Sequence, residues 1–146
     1  MPTTKRNQQK DKAYAFLERP TNLALKIKQK MLQCEALRSC IDSPSGIRYD
    51  KDKIQSSPSD KMSDIEAKID EIERDIVKLK AAKAVAVMEI NEAVDGLSDE
   101  IQKTIILEYF IGRIPMAEIG NDIGYSSSRT YELMQIGIEE LGSKIP

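Results

Sequence analysis

Histidine and tryptophan are absent from this chain of 146 residues, and cysteine occurs only twice. Without histidine, the chain lacks the commonest general base and metal ligand. Cys34 and Cys40 are six positions apart, which fits neither a zinc site nor a redox pair, so we expect two reduced cysteines on a helix. The sequence also has no glycine-rich phosphate loop and no nucleophile elbow. We therefore expect no enzyme activity, no cofactor and no metal.

Long apolar runs and aromatic residues are scarce as well. No run approaches the length of a membrane span, and the opening residues MPTTKRNQQK lack the apolar core of a signal peptide. Aromatic residues make up 5% of the chain and charged residues 32%, which disfavours a large globular core. This composition predicts a helical, partly elongated, cytoplasmic protein without a membrane partner.

Three short helices are predicted after residue 98. Ser98 is placed to N-cap the first, which begins at Asp99 and ends at Gly112, where we expect the left-handed conformation that glycine tolerates. The second begins near Pro115, since proline suits the first turn of a helix, and Gly124 stops it. These signals divide residues 98–146 into compact helical pieces.

The third helix follows an N-cap at Ser126 and runs to Leu141. Together with the second helix it has helix-turn-helix spacing, with the small Gly120 where the two helices approach. The positions expected to face inward are Ile119, Ile123, Thr130, Leu133, Ile136 and Gly137.

Helix-turn-helix proteins usually place the third helix in the major groove of DNA. The outward positions after the cap Ser126 are Ser127, Ser128, Arg129, Tyr131, Glu132 and Gln135. Arginine suits guanine, glutamine suits adenine and glutamate accepts from cytosine, so Arg129, Gln135 and Ser128 are our first choices for base or phosphate contact. Arg113 and Lys103 are expected to contact phosphates at the periphery. The alternative is a plain helical bundle with a polar outer face.

The N-terminal part predicts a disordered basic tail followed by one amphipathic helix. Residues 1–12 are polar and basic. Because Pro20 limits where a helix can begin, we expect a cap at Thr21 or Asn22 and a helix ending near Ile41. Its apolar stripe is Leu23, Ile27, Met31, Cys34, Leu37 and Ile41, and its other face carries Lys26, Lys28, Lys30 and Arg38. These cations are either solvated or in contact with phosphate.

A heptad pattern follows a loop at residues 42–60, which has two Ser-Pro pairs and the anchor candidates Tyr49 and Ile54. The a positions are Met62, Ile69, Ile76, Lys83, Ile90 and Leu97, and the d positions are Ile65, Ile72, Leu79, Ala86 and Ala93. The pattern predicts one helix of about 36 residues, roughly 54 Å long.

Two pairings of this helix are open. Opposite charges at g and e positions favour a parallel homodimer through residues 62–97, with Lys68 opposite Glu73 and Asp75 opposite Lys80. Alternatively, the helix folds back on residues 23–41 as an antiparallel hairpin. We therefore predict an all-α protein with four parts: a tail and helix at 1–41, a loop at 42–60, a coiled-coil helix at 61–97 and a helix-turn-helix domain at 98–146.

The charge distribution complicates DNA binding. Residues 95–146 hold 4 Lys and Arg against 9 Asp and Glu, a net charge of −5, whereas residues 1–60 hold 12 against 7. Duplex binding draws much of its free energy from cations at phosphates. We expect the C-terminal domain to bind DNA weakly on its own. Dimerisation, the basic N-terminal region or RNA polymerase would have to supply the missing contacts to DNA.

Three stretches carry a resemblance to a known family. They are GIRYDKDKIQSSPSDKM from Gly46 to Met62, the heptads after it, and a C-terminal pattern that includes Glu118, Ile123 and Tyr131. The chain resembles small phage- and prophage-borne late-transcription regulators of Gram-positive bacteria, of the RinA and ArpU kind, whose C-terminal part is similar to sigma-factor region 4.

The resemblance implies a cytoplasmic regulator that binds double-stranded DNA and acts with host RNA polymerase. By position it implies that Ser126 caps the recognition helix and that Tyr131 and its outward neighbours face DNA. The chain departs from the family where Glu132 replaces arginine, Thr130 replaces valine and Ile114-Pro115 replaces a Ser/Thr cap. The alternatives are an oligomeric packaging scaffold like a small terminase subunit, and a polymerase-binding protein without DNA contact.

Overall fold

The computed structural model describes residues 2–42 and 58–146, and within these ranges the chain is helical without strands. The helices are α1 (Pro2–Asp42), α2 (Pro58–Asp95), α3 (Glu100–Ile106), which continues into a π-helical turn (Leu107–Ile111), α4 (Met116–Ile123) and α5 (Ser127–Lys144). The all-α prediction is confirmed. No described helix is long and apolar enough to cross a membrane.

Helix α1 begins far earlier than predicted. Residues 2–12 are helical, and α1 runs through Pro20 without a new cap at Thr21 or Asn22, so the predicted tail and boundary are wrong. Ala13 and Leu17 are fully buried. Burying a leucine contributes about 1.5–3 kcal/mol, which offsets most of the roughly 3 kcal/mol that proline costs inside a helix.

Arg19 repairs the backbone around the proline. A proline has no N–H, so Pro20 cannot donate to the carbonyl of Phe16 one turn earlier. The Arg19 Nε donates to that oxygen instead, at 3.2 Å, and its guanidinium lies 4.5 Å from the centre of the Phe16 ring. The helix therefore continues through a residue that usually ends one.

The chain forms two compact units, which divide it differently from the four predicted parts. The first unit combines Met1–Asn22 with Lys83–Pro146, and the second is Leu23–Ala82. The first unit has one core to which both long helices and all three C-terminal helices contribute: Ala13, Leu17, Ile90, Val94, Leu97, Ile105, Ile106, Phe110, Ile119, Met134, Ile138 and Leu141. The C-terminal helices therefore share their core with residues far away in sequence.

The second unit is an antiparallel pairing of α1 and α2. Its buried cluster is Cys34, Ile69 and Ile72, with Leu37, Ile41, Ile65 and Ile76 packed against it. Among the described residues of this unit, two ion pairs join the helices: Lys30 lies 3.6 Å from Asp75, and Arg38 pairs with Glu73. Residue numbers rise along one helix as they fall along the other, so the chain adopts the hairpin alternative.

Three of the four charges predicted to join two chains have other partners here. Glu73 and Asp75 pair with α1, and Lys68 pairs with Glu71 on its own helix at 3.3 Å. A parallel homodimer through residues 62–97 stays a prediction.

Within the predicted stripe of α1, Ile27 and Cys34 are buried, whereas Met31 is exposed, contrary to prediction.

The remaining sequence predictions concern the cysteines and the loop. Cys34 is buried, Cys40 is exposed, and both are free thiols, as predicted. Tyr49 and Ile54, the predicted loop anchors, lie outside the described residues, as does most of the phrase that begins at Gly46. Helix α2 begins at Pro58 and ends at Asp95, a shift of a few residues from the heptad prediction.

Candidate nucleic-acid interface

The turn between α4 and α5 depends on two glycines. Gly124 ends α4 with a φ of 80°, in the left-handed region that favours glycine. A Cβ on Gly120 would lie 2.7 Å from the carbonyl oxygen of Tyr125 and 2.9 Å from Oγ1 of Thr130. The predicted roles of Gly120 and Gly124 are confirmed, because the close approach of α4 and α5 leaves no room for a side chain at Gly120.

The caps around α5 and α4 match their predicted positions. Ser126 Oγ accepts from the backbone N–H of Arg129 at 3.2 Å, and the Thr130 hydroxyl donates to the Ser126 carbonyl at 2.8 Å. Pro115 occupies the N-cap of α4, and its carbonyl accepts the first helical bonds. The start of α5 is therefore held by its own first turn.

The start of α3 corrects one cap. Asp99, and not Ser98, is the N-cap, because its Oδ1 accepts from the backbone N–H of Gln102 at 2.9 Å. Ser98 instead donates its backbone N–H and its hydroxyl to the carboxylate of Glu140, at 3.3 and 3.2 Å. Hydrogen bonds from Lys144 and then from Ser98 lower the pKa of Glu140. Ser98 therefore ties α5 to the start of α3.

The end of the first short helix corrects a second prediction. Gly112 has a φ of −74°, so the left-handed residue is Arg113, with a φ of 55°. The π-helical turn explains the glycine, because a Cβ on Gly112 would lie 2.8 Å from the carbonyl oxygen of Glu108. A left-handed non-glycine residue costs roughly 1–2 kcal/mol. Arg113 keeps an exposed side chain despite this backbone.

The outward side of α5 carries most of the residues predicted to face DNA. Ser126, Ser127, Ser128, Arg129, Tyr131 and Glu132 are all exposed. Arg129 Nη1 lies 3.1 Å from Glu132 Oε2, and both side chains are more than half exposed. The buried side consists of Thr130, Met134, Gly137, Ile138 and Leu141. These side chains, which are predicted to read bases, therefore have access to solvent.

The predicted exposures of Gln135 and Ile136 are reversed in the structure. The Gln135 amide is partly buried and donates to the hydroxyl of Tyr14, whose ring packs edge-on against Phe110 at 6.0 Å. Ile136 was predicted to face inward, yet it is 49% exposed. Residue 136 lies about 200° around the helix from the buried Met134, at the middle of the outward face. Gln135 is therefore a contact of α1, and Ile136 belongs to the open surface.

Tyr14 is the functional residue that local sequence reasoning missed. Burial raises the pKa of its phenol, which stays neutral and hydrogen-bonds to Gln135. Its position between the buried Ala13 and Leu17 on α1 was the only signal in the sequence that Tyr14 would be partly buried.

The two peripheral cations differ in access. Arg113 is exposed, as predicted. The Lys103 side chain is only 19% exposed, and its Nζ lies 2.9 Å from Glu100 Oε1. Lys103 is therefore a poor candidate for a phosphate contact, because most of its side chain is covered by the protein.

The basic start of α1 lies beside the wrong end of α5 for DNA reading. Arg6 pairs with Glu139 at 2.5 Å, and Lys12 donates to the carbonyl of Ile145 at 2.9 Å. Glu139 is twelve residues beyond Ser127, roughly 18 Å along the helix. These two cations stabilise the C-terminal end of α5 and are not available at its first turn.

Comparison with known proteins adds no relative. No family model matches the chain, and no curated protein or solved structure matches it. In the described part of the chain, no group of three or more Asp, Glu or Cys side chains is arranged to hold a metal ion.

Proposed function

We propose that this protein is a sequence-specific DNA-binding transcriptional regulator in which α5 lies in the major groove. The observation that carries the proposal is the α4–α5 pair: a close approach at Gly120, a left-handed turn at Gly124 and an outward face on α5 whose side chains are exposed. The assignment to phage or mobile-element genes rests on the family resemblance alone.

The reading face consists of residues at the start and middle of α5: Ser127, Ser128, Arg129, Tyr131, Glu132 and Ile136. To reach a guanine, the Arg129 side chain must leave its ion pair with Glu132 and form hydrogen bonds to the base instead. An exposed ion pair contributes about 0–1 kcal/mol, so this exchange costs little. Ile136 offers an apolar contact of the kind that the thymine methyl group accepts.

A second candidate function is polymerase binding without DNA reading. Glu118 and Asp122 lie one turn apart on α4, and both are exposed. In helix-turn-helix complexes this helix crosses the DNA backbone, where carboxylates are repelled by phosphates. The same two carboxylates are suited to a basic protein surface, which favours RNA polymerase as the partner. The packaging-scaffold alternative predicts a ring larger than a dimer in solution, which sedimentation equilibrium of the full chain measures.

Selection of bound fragments from the source genome tests DNA reading. We expect the full chain to enrich one or a few intergenic fragments at moderate salt. Arg129→Ala should weaken binding to them by about 1–3 kcal/mol if the arginine reads a guanine. Arg74→Ala is the matched control, because Arg74 is an exposed arginine on α2 outside this face.

The outcomes separate the two candidate functions. Loss of enrichment in Arg129→Ala alone supports base reading through α5. Equal losses in both variants indicate a general charge effect and contradict the assignment of Arg129. If the intact chain enriches nothing but retains RNA polymerase on an affinity column, and Glu118→Gln/Asp122→Asn releases it, the polymerase-binding function replaces the first proposal.

A further inference from the structure

The cations of the second unit, Leu23–Ala82, differ in whether a carboxylate neutralises them. Arg38 pairs with Glu73, Lys68 with Glu71, and Lys30 lies 3.6 Å from Asp75. Among the described residues, four lysines near the same end of the paired helices have no ion pair: Lys26 and Lys28 on α1, and Lys78 and Lys80 on α2. This end of the hairpin therefore carries a group of unpaired cations.

Two of these lysines line a single groove. The groove has a volume of about 480 Å³ and is lined by Lys26, Gln29, Lys30, Gln33, Asp75, Lys78 and Leu79. Its three lysines outnumber its one aspartate, so the groove has a net charge of +2. Lys28 and Lys80 do not line it, because each lies two residues, about 200°, around its helix from a lining lysine.

The lining residues on α1 are spaced along one helical face. Positions 26, 29, 30 and 33 are three or four residues from one of their neighbours in this set, and the seven steps from residue 26 to residue 33 span roughly 10 Å. One DNA strand carries a phosphate for about every 3.4 Å of axis, so this length faces about three phosphates. Gln29 and Gln33 line the same groove, and their amides can donate to phosphate oxygens.

We infer that this groove binds the sugar-phosphate backbone of duplex DNA, with Lys26 and Lys78 as the principal phosphate contacts. The inference rests on the proposed DNA binding but not on base reading by α5. It supplies cations that the rest of the chain offers poorly, because the C-terminal residues 95–146 are acidic and two cations at the start of α1, Arg6 and Lys12, already contact Glu139 and Ile145. The hairpin supplies affinity without sequence preference.

The test compares two double variants of the full chain with equal charge. Lys26→Gln/Lys78→Gln removes the groove contacts, and Lys28→Gln/Lys80→Gln removes the same charge from other sides of the same helices. Binding to a short duplex of arbitrary sequence is measured by fluorescence anisotropy between 50 and 200 mM salt. Far-UV circular dichroism and thermal unfolding of both variants verify that the hairpin is intact.

Each phosphate contact contributes about 0.9 to the slope of log K against log salt. We expect the groove variant to lower the magnitude of this slope by about 2 and to bind roughly tenfold more weakly at the lower salt concentrations. The control should change the slope by much less. Equal changes in both variants, or no change in the groove variant, would overturn the inference. A groove that serves an acidic protein gives the second of these results.

Failure of this inference is distinguishable from failure of the proposed function. The groove variant should enrich the same genomic fragments as the intact chain, only more weakly. If the intact chain enriches no fragment while the groove variant alone lowers the salt slope, the groove stands and sequence reading fails. If fragments are enriched but both variants have the parent slope, sequence reading stands and the groove fails.

Discussion

The two units of this protein differ in how far apart in the sequence their contacts lie. The unit Leu23–Ala82 pairs two regular helices, and the heptad positions Ile69 and Ile72 are buried as the repeat requires. The unit formed by Met1–Asn22 and Lys83–Pro146 buries Ala13 and Leu17 with residues of all three C-terminal helices. The heptad pattern of α2 predicts buried positions in both units, such as Ile69 in the hairpin and Ile90 in the other unit, but no local pattern predicts which distant segments converge on them.

The largest expected effect comes from removing a contact that joins distant segments. Leu17→Ala should lower the free energy of unfolding by about 2–5 kcal/mol, because Leu17 is fully buried in the core shared with the C-terminal helices. Urea unfolding followed by circular dichroism measures this loss. Leu32→Ala is the matched control on the same helix, since Leu32 is 56% exposed. Similar small losses in both variants would mean that the start of α1 is not part of this core.

A smaller effect, on DNA affinity, is expected from Ile136, which is exposed where Gln135 was predicted to be. Ile136→Ala should weaken binding to a selected fragment by about 1 kcal/mol if its side chain packs on a thymine methyl group. Replacing the contacted thymine by uracil removes that methyl from the DNA and should cost the intact chain a similar amount. The same replacement should cost the Ile136→Ala variant almost nothing. Independent, additive losses would place Ile136 away from the methyl group.

The smallest expected effect is on stability and concerns the hydrogen bonds by which Ser98, just before α3, is joined to Glu140 on α5. Hydrogen bonds from Lys144 and Ser98 lower the pKa of Glu140 below its usual 4.5, so the charged form is favoured in the folded state. A depressed pKa gives stability that is present above pH 4.5 and is lost as the pH falls through the folded-state value. Glu140→Gln should therefore lower the thermal unfolding temperature slightly at neutral pH, leave it unchanged at a pH below the folded-state pKa of Glu140, and so flatten this part of the acid dependence. An identical acid profile in the variant would contradict the role of this carboxylate.

Local residue chemistry predicted much of the candidate site. The cap at Ser126, the turn at Gly124 and the close approach at Gly120 depend on interactions within a few residues, so their types and spacing indicate them directly. Asp99 and Ser98 could not be told apart in this way, because both side chains can cap a helix. Their roles were decided by Glu140, which lies 42 residues from Ser98 and accepts its hydrogen bonds.

One proline and one glycine also show local residue preferences being overruled by contacts made elsewhere in the fold. Pro20 is a helix breaker by its own chemistry, yet the burial of Leu17 and the hydrogen bond from Arg19 keep α1 intact. Gly112 was expected to be left-handed, but the π-helical turn moves that conformation to Arg113. In both places a contact several residues away, or in another helix, outweighed the local preference.

Short-range periodicity and the conformational limits of single residues were enough to predict a helical protein, the heptad repeat of α2 and the turn between α4 and α5. The open side of α5 depended on tertiary contacts. Tyr14 holds Gln135 and leaves Ile136 exposed, although 121 residues separate the two hydrogen-bonded side chains. The physical reason is that packing between distant segments selects among helix faces whose local propensities are nearly equal.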